Sequence, residues 1–163
     1  GDINTQAVES IDTEVVKANW EAIKRQERLA KSQPGALADI PRALPALPRA
    51  QKLQKRAAHV GFDWPELSQV LENLEGEIAE LRGALNDGNA DHIEDEFGDV
   101  LFSAVNVGRH LQIDAERALR RANRKFERRF RSMESQAAEV DQPLESMDVL
   151  ELDALWRAAK QFD

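Results

Sequence analysis

Residues Glu75 to Asp99 read EGEIAELRGALNDGNADHIEDEFGD, and the fold turns on whether this stretch is one helix or two. The tetrapeptide NDGN, Asn86 to Asn89, is a turn, so the chain doubles back there into a helical hairpin. Each arm carries two acids three residues apart. Glu77 and Glu80 lie before the turn, Glu96 and Asp99 after it. These four are either ordinary helix-surface charge or a cage assembled by the folding-back.

A helical wheel at ~100° per residue distinguishes the two. With Leu67 as zero, Leu67, Leu71, Leu74, Ile78, Leu81 and Leu85 fall within about 40° of one line, the expected core stripe of the first arm. Glu77 then lies about 80° and Glu80 about 140° to one side. In the second arm Ile93, Phe97, Val100, Ala104, Val107 and Leu111 form the stripe, with Glu96 about 60° and Asp99 about 120° to one side. The offsets have the same sign. For two helices packed antiparallel, stripe to stripe, equal-signed offsets emerge on the same edge. Heights agree too, because Glu80 and Glu96 are each eight residues from Gly88, and Glu77 and Asp99 each eleven.

The spacing therefore gathers four carboxylates at one spot. Together at the border of an apolar core they repel one another and resist desolvation. A hard, oxygen-seeking divalent cation, Mg²⁺ or Mn²⁺, resolves the conflict. Mg²⁺ held by a few carboxylates completes its shell with water and substrate phosphates, so the implied ligand is phosphorylated. A single Glu pair at i,i+3 is common on solvated helices. Two pairs with matching offset and mirrored spacing are much rarer by accident.

The 163 residues suffice for one domain with a core, and the formal net charge of −8 argues against nucleic acid or an anionic membrane as partner. With no cysteine there are no disulfides, thiolate metal sites or cysteine nucleophile. No apolar run approaches a membrane span and no signal-peptide pattern opens the chain, so a cytoplasmic setting is expected. The chain starts at Gly1 rather than Met, which suggests a piece of a longer protein.

Periodicity is helical throughout, and the expected class is all-α, a helix bundle. An amphipathic segment is predicted over residues 12–31, with Val16, Trp20 and Ile23 on one side. SQPG at Ser32 to Gly35 breaks it, and the Pro-punctuated DIPRALPALP (Asp39 to Pro48) follows as a linker. Further helices are predicted over 48–61, 65–85, 91–111, 114–138 and 148–162.

ALRRANRKFERRFRSM, Ala118 to Met133, invites a nucleic-acid reading. On a wheel, though, Leu119, Ala122, Phe126, Phe130 and Met133 line up, so this helix is expected to dock on the bundle with Arg121, Arg124 and Arg128 solvated. Lys125 and Arg129 flank the stripe and are candidates to hold phosphate oxygens, Arg129 in bidentate fashion. Asn123 falls inside the stripe, where it needs a structural partner or a ligand. His59, His92 and His110 show no Glu-x-x-His spacing, which disfavours a di-iron bundle. No Walker-type loop or nucleophile elbow is present. Trp20, Trp64 and Trp156 read by default as core or interface aromatics.

Glu77-x-x-Glu80, a turn and Glu96-x-x-Asp99 resemble the acidic signature of MazG-type nucleoside triphosphate pyrophosphohydrolases. QKLQKRAAHVGFDWP (Gln51 to Pro65), GDVLFSAVNVGRHL (Gly98 to Leu111) and RANRKFERRF (Arg121 to Phe130) are family-like as well. The resemblance covers about Pro41 to Lys160 and is nearest the C-terminal catalytic domain of the two-domain bacterial form. Hence the expected organisation is linker and accessory helix over 1–40 and catalytic domain over 41–163. The resemblance implies an all-α homodimer that uses Mg²⁺ to hydrolyse nucleoside triphosphates to monophosphate and pyrophosphate. It makes Glu77, Glu80, Glu96 and Asp99 metal ligands, Lys125 and Arg129 triphosphate contacts, and Trp156 a neighbour of the nucleotide. Asp95 matches an acidic family position and is a candidate to orient the attacking water. His92 stands where a relative carries Lys, and Gly76 where a Glu is common, so contacts from those positions are not carried over. The alternatives are a base-selective pyrophosphatase of the dUTP or dCTP type and a non-catalytic helical dimerisation module. Base preference, ion count and physiological role are not written in the sequence.

Overall fold

The computed structural model describes residues 13–25, 27 and 35–163, and every regular element among them is helical. The described residues divide into two compact units, one within residues 1–115 and the other within 116–163. No helix among the described residues is long and apolar enough to cross a membrane.

Residues 13–25 are helical, and Val16, Trp20 and Ile23 on them are all exposed. The rest of the predicted first segment, residues 12, 26 and 28–31, lies outside the described residues. Helix α1 spans Ala46–His59, starting two residues before Pro48. Pro48 is still in the first turn, where a missing N–H leaves no hydrogen bond unmade. The linker before it is ordered by local turns, with Ala38 N donating to Gly35 O and Leu44 N to Pro41 O.

The hairpin follows. Helix α2 spans Leu67–Asp87 and is capped at Glu66, whose side chain and that of Gln69 satisfy each other's backbone N–H groups. It ends at Gly88, which adopts φ 65° as a left-handed C-cap, a conformation open to glycine at little cost. Helix α3 spans Ala90–His110, and the Asn89 side chain caps it by accepting from Asp91 N and His92 N. Turn chemistry thus fixes both ends of NDGN.

The buried seam differs from the expected stripe. On α2 the fully buried residues are Val70 and Ala84, and on α3 Ser103 and Val105. Leu67, Leu71, Ile78, Leu85, Phe97 and Leu111, all assigned to the core by the wheel, are exposed, Leu85 at 58% and Phe97 at 51%. The seam is rotated toward Asn73 and Glu77. The wheel centres on the bulkiest apolar residues, and here those form a surface strip while smaller and polar side chains pack between the helices.

In the second unit helix α4 spans Ala115–Glu139 and helix α5 Val149–Lys160, joined by a short 3₁₀ turn at Leu144–Ser146. Asp148 caps α5 by accepting from Glu151 N at 2.8 Å. Met133, Ala137 and Ala159 are buried. Leu119, Phe126 and Phe130, expected to be covered as a docked stripe, are exposed, and so is Asn123. Asn123 therefore needs no buried partner, since water satisfies its amide.

Candidate metal centre

The hairpin brings acids from both arms together. One carboxylate oxygen each from Glu77, Glu96 and Asp99 lies within 4.8 Å of the others. Glu80, on the exposed side of α2, lies outside that cluster, and its negative charge helps to raise the carboxyl pKa of both Glu77 and Glu96. Three of the four predicted acids thus share one spot. Glu77 and Glu96 are partly buried whereas Glu80 and Asp99 are exposed, so the acids lie at the border of the helix pair.

Electrostatics register the crowding. Burial pushes the Glu77 carboxyl above its usual range, and the charges of Glu80 and Asp99 push it further. Glu96 rises for the same reasons, burial first and then Glu80 and Asp99, with His92 pulling weakly the other way. Glu77 Oε2 and Glu96 Oε2 are both buried without a hydrogen-bond partner. Buried carboxylate oxygens without donors are rare in folded proteins. An all-oxygen donor set with two orphaned atoms fits a hard divalent cation, and the residues present pass that test.

His92 sits between Asp87, 3.2 Å from its Nδ1, and Glu96, 3.4 Å from its Nε2. It contacts a proposed ligand directly, a role the sequence reading did not assign. Asp95 is exposed on α3 and is not one of the three clustered acids.

One turn further along the same seam, Ser103 Oγ donates to Asn73 Oδ1 at 3.0 Å. Asp63, in the segment between α1 and α2, accepts from Arg109 Nη2 at 2.6 Å and Nη1 at 3.2 Å and lies 2.8 Å from His110 Nε2. These partners hold its carboxyl well below the ordinary range, from 3.8 to about 2, with the Arg109 hydrogen bond the largest cause. Sequence reading missed this cluster. Its members are 46 and 47 residues apart, and single charged residues give no periodic signal.

The second unit holds the remaining predicted residues. Arg129 lies 5.3 Å over the Trp156 ring and also pairs with Asp163. Trp156 is tilted against Phe126 at 5.6 Å, and Lys160 lies 5.8 Å from its ring on a second cation–π contact. Lys125 is exposed. Arg121 and Arg124 are exposed as expected, and Arg128 is exposed 3.7 Å from Asp163.

Residues 66–133 match the profile of the MazG nucleotide pyrophosphohydrolase domain. The chain is 46% identical over 148 residues to the nucleoside triphosphate pyrophosphohydrolase of Escherichia coli K12, covering 90% of this chain and 56% of that protein. It is 41% identical over 144 residues to the nucleoside triphosphate pyrophosphohydrolase/pyrophosphatase MazG of Thermotoga maritima, covering 88% and 55%. It is 42% identical over 151 residues to the uncharacterized protein YabN of Bacillus subtilis, covering 92% and 31%. The chain spans about half the length of the first two relatives.

Proposed function

We propose, from the premise that residues 66–133 are a MazG nucleotide pyrophosphohydrolase domain, that this chain hydrolyses nucleoside triphosphates to nucleoside monophosphate and pyrophosphate with Mg²⁺. The observation that carries the reading is the acidic cluster with two orphaned, buried carboxylate oxygens. It supports a site that needs a cation. The family and the names of the two pyrophosphohydrolase relatives supply the polyphosphate chemistry.

In this reading Glu77, Glu80, Glu96 and Asp99 hold Mg²⁺, or Mn²⁺ in its place. When bound, the ion offsets charge on the phosphates and polarises the phosphoryl group under attack. Glu80 adds negative charge beside Glu77 and Glu96. Asp95 orients the attacking water. Lys125 and Arg129 neutralise charge on the departing pyrophosphate, and Trp156 lies beside the nucleotide with Asn123 as a further polar contact. Residues 41–163 form the catalytic region and 1–40 a linker with an accessory helix. The enzyme works in the cytoplasm as a homodimer, accepts triphosphates of every base, and binds neither nucleic acid nor membrane. The exposed apolar face of the hairpin supports the dimer, because a face of this kind is uncommon on a monomer.

The test is pyrophosphate release from a panel of ribo- and deoxyribonucleoside triphosphates, with Mg²⁺ and with chelator, beside Glu96→Gln. The reading expects release that requires Mg²⁺ and is abolished in the variant. Equal release by a folded Glu96→Gln protein overturns it. A single productive base would narrow it to a base-selective pyrophosphatase, and no release together with no Mg²⁺-dependent thermal shift would leave a helical dimerisation module.

A further inference from the structure

We infer that the Asp163 carboxylate competes with the substrate's phosphates for Arg129, so that a triphosphate binding there displaces it. This rests on the hydrolase reading, which assigns Arg129 to the polyphosphate. It adds to that reading an internal competitor that sets how tightly the substrate is held.

The contact is made within the second unit. Arg129 lies on α4, and Asp163 three residues past the last residue of α5. Arg129 Nε donates to Asp163 Oδ2, and Arg129 Nη2 pairs with the same oxygen. Arg128 Nη2 lies 3.7 Å from Asp163 Oδ1. One carboxylate is thus shared by two guanidinium groups. The Arg129 side chain is 16% exposed and that of Asp163 22%. The ion pairs along α4, Arg120 with Glu116 and Arg131 with Glu127, are more exposed. Water therefore screens the Asp163 contact less than those, and it is the stronger hold.

Competition follows from donor geometry. A guanidinium presents its N–H groups on a planar fork, and carboxylate and phosphate oxygens approach the same edge of it. The flat face of Arg129 already lies against the Trp156 ring, 5.3 Å from its centroid. Its Nε–Nη2 edge carries Asp163. A phosphate reaching for that edge meets the negative charge of the carboxylate and must replace it.

The carboxylate is held lightly enough to leave. Asp163 N reaches Lys160 O only at 3.5 Å, the limit of a hydrogen bond, and the neighbouring Phe162 is 81% exposed. Little packing is lost when the turn after α5 swings away. Lys160 lies 5.8 Å from the centroid of the same indole, so a polyphosphate arriving here meets Arg128, Arg129 and Lys160 together. Its several charges match three cations better than a single carboxylate does.

The experiment measures kcat and KM for ATP with Mg²⁺, and the Kd of tripolyphosphate with Mg²⁺ by calorimetry, on the wild type and on Asp163→Ala. Loss of the competitor should lower KM and the tripolyphosphate Kd about three- to tenfold, because apparent affinity scales with the fraction of protein whose site is open. The value of kcat should hold. In an Arg129→Ala background the same change at Asp163 should have no such effect. A KM unchanged or raised in folded Asp163→Ala overturns the inference, a rise making Asp163 a support for Arg129 instead. A fall of equal size with and without Arg129 also overturns it, since net charge alone would then be responsible. Should Asp163→Ala fail to fold, the nearly isosteric Asp163→Asn carries the same test. Tripolyphosphate separates this inference from the hydrolase reading. Tighter binding by the variant without turnover of any triphosphate refutes only the hydrolase reading, whereas an unchanged Kd refutes the competitor.

Discussion

At the residue scale the metal-free protein carries two opposed proton linkages. Glu77 and Glu96 have carboxyl pKa values raised from 4.5 on folding, by burial first and by Glu80 and Asp99 next. Such groups bind protons more tightly folded than unfolded, so they cost stability as pH rises from 4.5 through their folded values. Asp63 has the opposite sign. Held near 2 instead of 3.8, it stabilises fully above 3.8, and that contribution is lost as pH falls toward 2. The urea midpoint without metal should therefore peak near pH 4 to 5, decline toward neutrality, and recover there when Mg²⁺ is added. A metal-free midpoint that climbs steadily from pH 5 to 8 would refute the assigned strain. The same logic makes Glu77→Gln more stable than wild type in chelator at neutral pH, by thermal melt, while its pyrophosphate release falls about a hundredfold or more.

At the element scale two features hold the hairpin and its flank. Gly88 is in the left-handed region at φ 65°, and a Cβ there would meet nothing within 4 Å, so the only cost of a side chain is backbone strain. Gly88→Ala should lower unfolding free energy by about 1 kcal/mol with activity nearly retained. Asp63 ties the segment before α2 to the end of α3 through Arg109 and His110. Asp63→Asn should cost about 1–2 kcal/mol by denaturant titration, allowing for its partial exposure. The helices themselves were legible in the sequence. Each predicted span matches an observed one to within two residues at either end, apart from the first, because caps such as Asn89 and Asp148 and breakers such as Gly88 act locally.

At the scale of the whole molecule the hairpin carries an exposed strip of Leu67, Leu71, Ile78, Leu85, Phe97 and Leu111. If a second copy covers it, a charge at its middle should abolish association. Leu71→Glu combined with Phe97→Asp should sediment as a monomer where the wild type sediments as a dimer, and a wild type already monomeric at micromolar concentration would remove the proposed assembly. The strip also explains the one misplacement of the hairpin's core. Apolar periodicity marks the helix face on which large side chains collect, and does not distinguish a seam within the chain from a face awaiting another surface.

The sequence by itself determined that the chain is helical, that it reverses at Asn86 to Asn89, and that Glu77, Glu96 and Asp99 meet. Each of these depends on counting along a helix from a turn, and helical rise and rotation are nearly invariant. Only the tertiary structure decided which flank of α2 and α3 is buried. The same is true of the burial of Gln54 with an unpartnered oxygen and of the meeting of Asp63 with Arg109 and His110. These features arise from contacts between distant segments, where packing selects among faces that local pattern leaves equivalent.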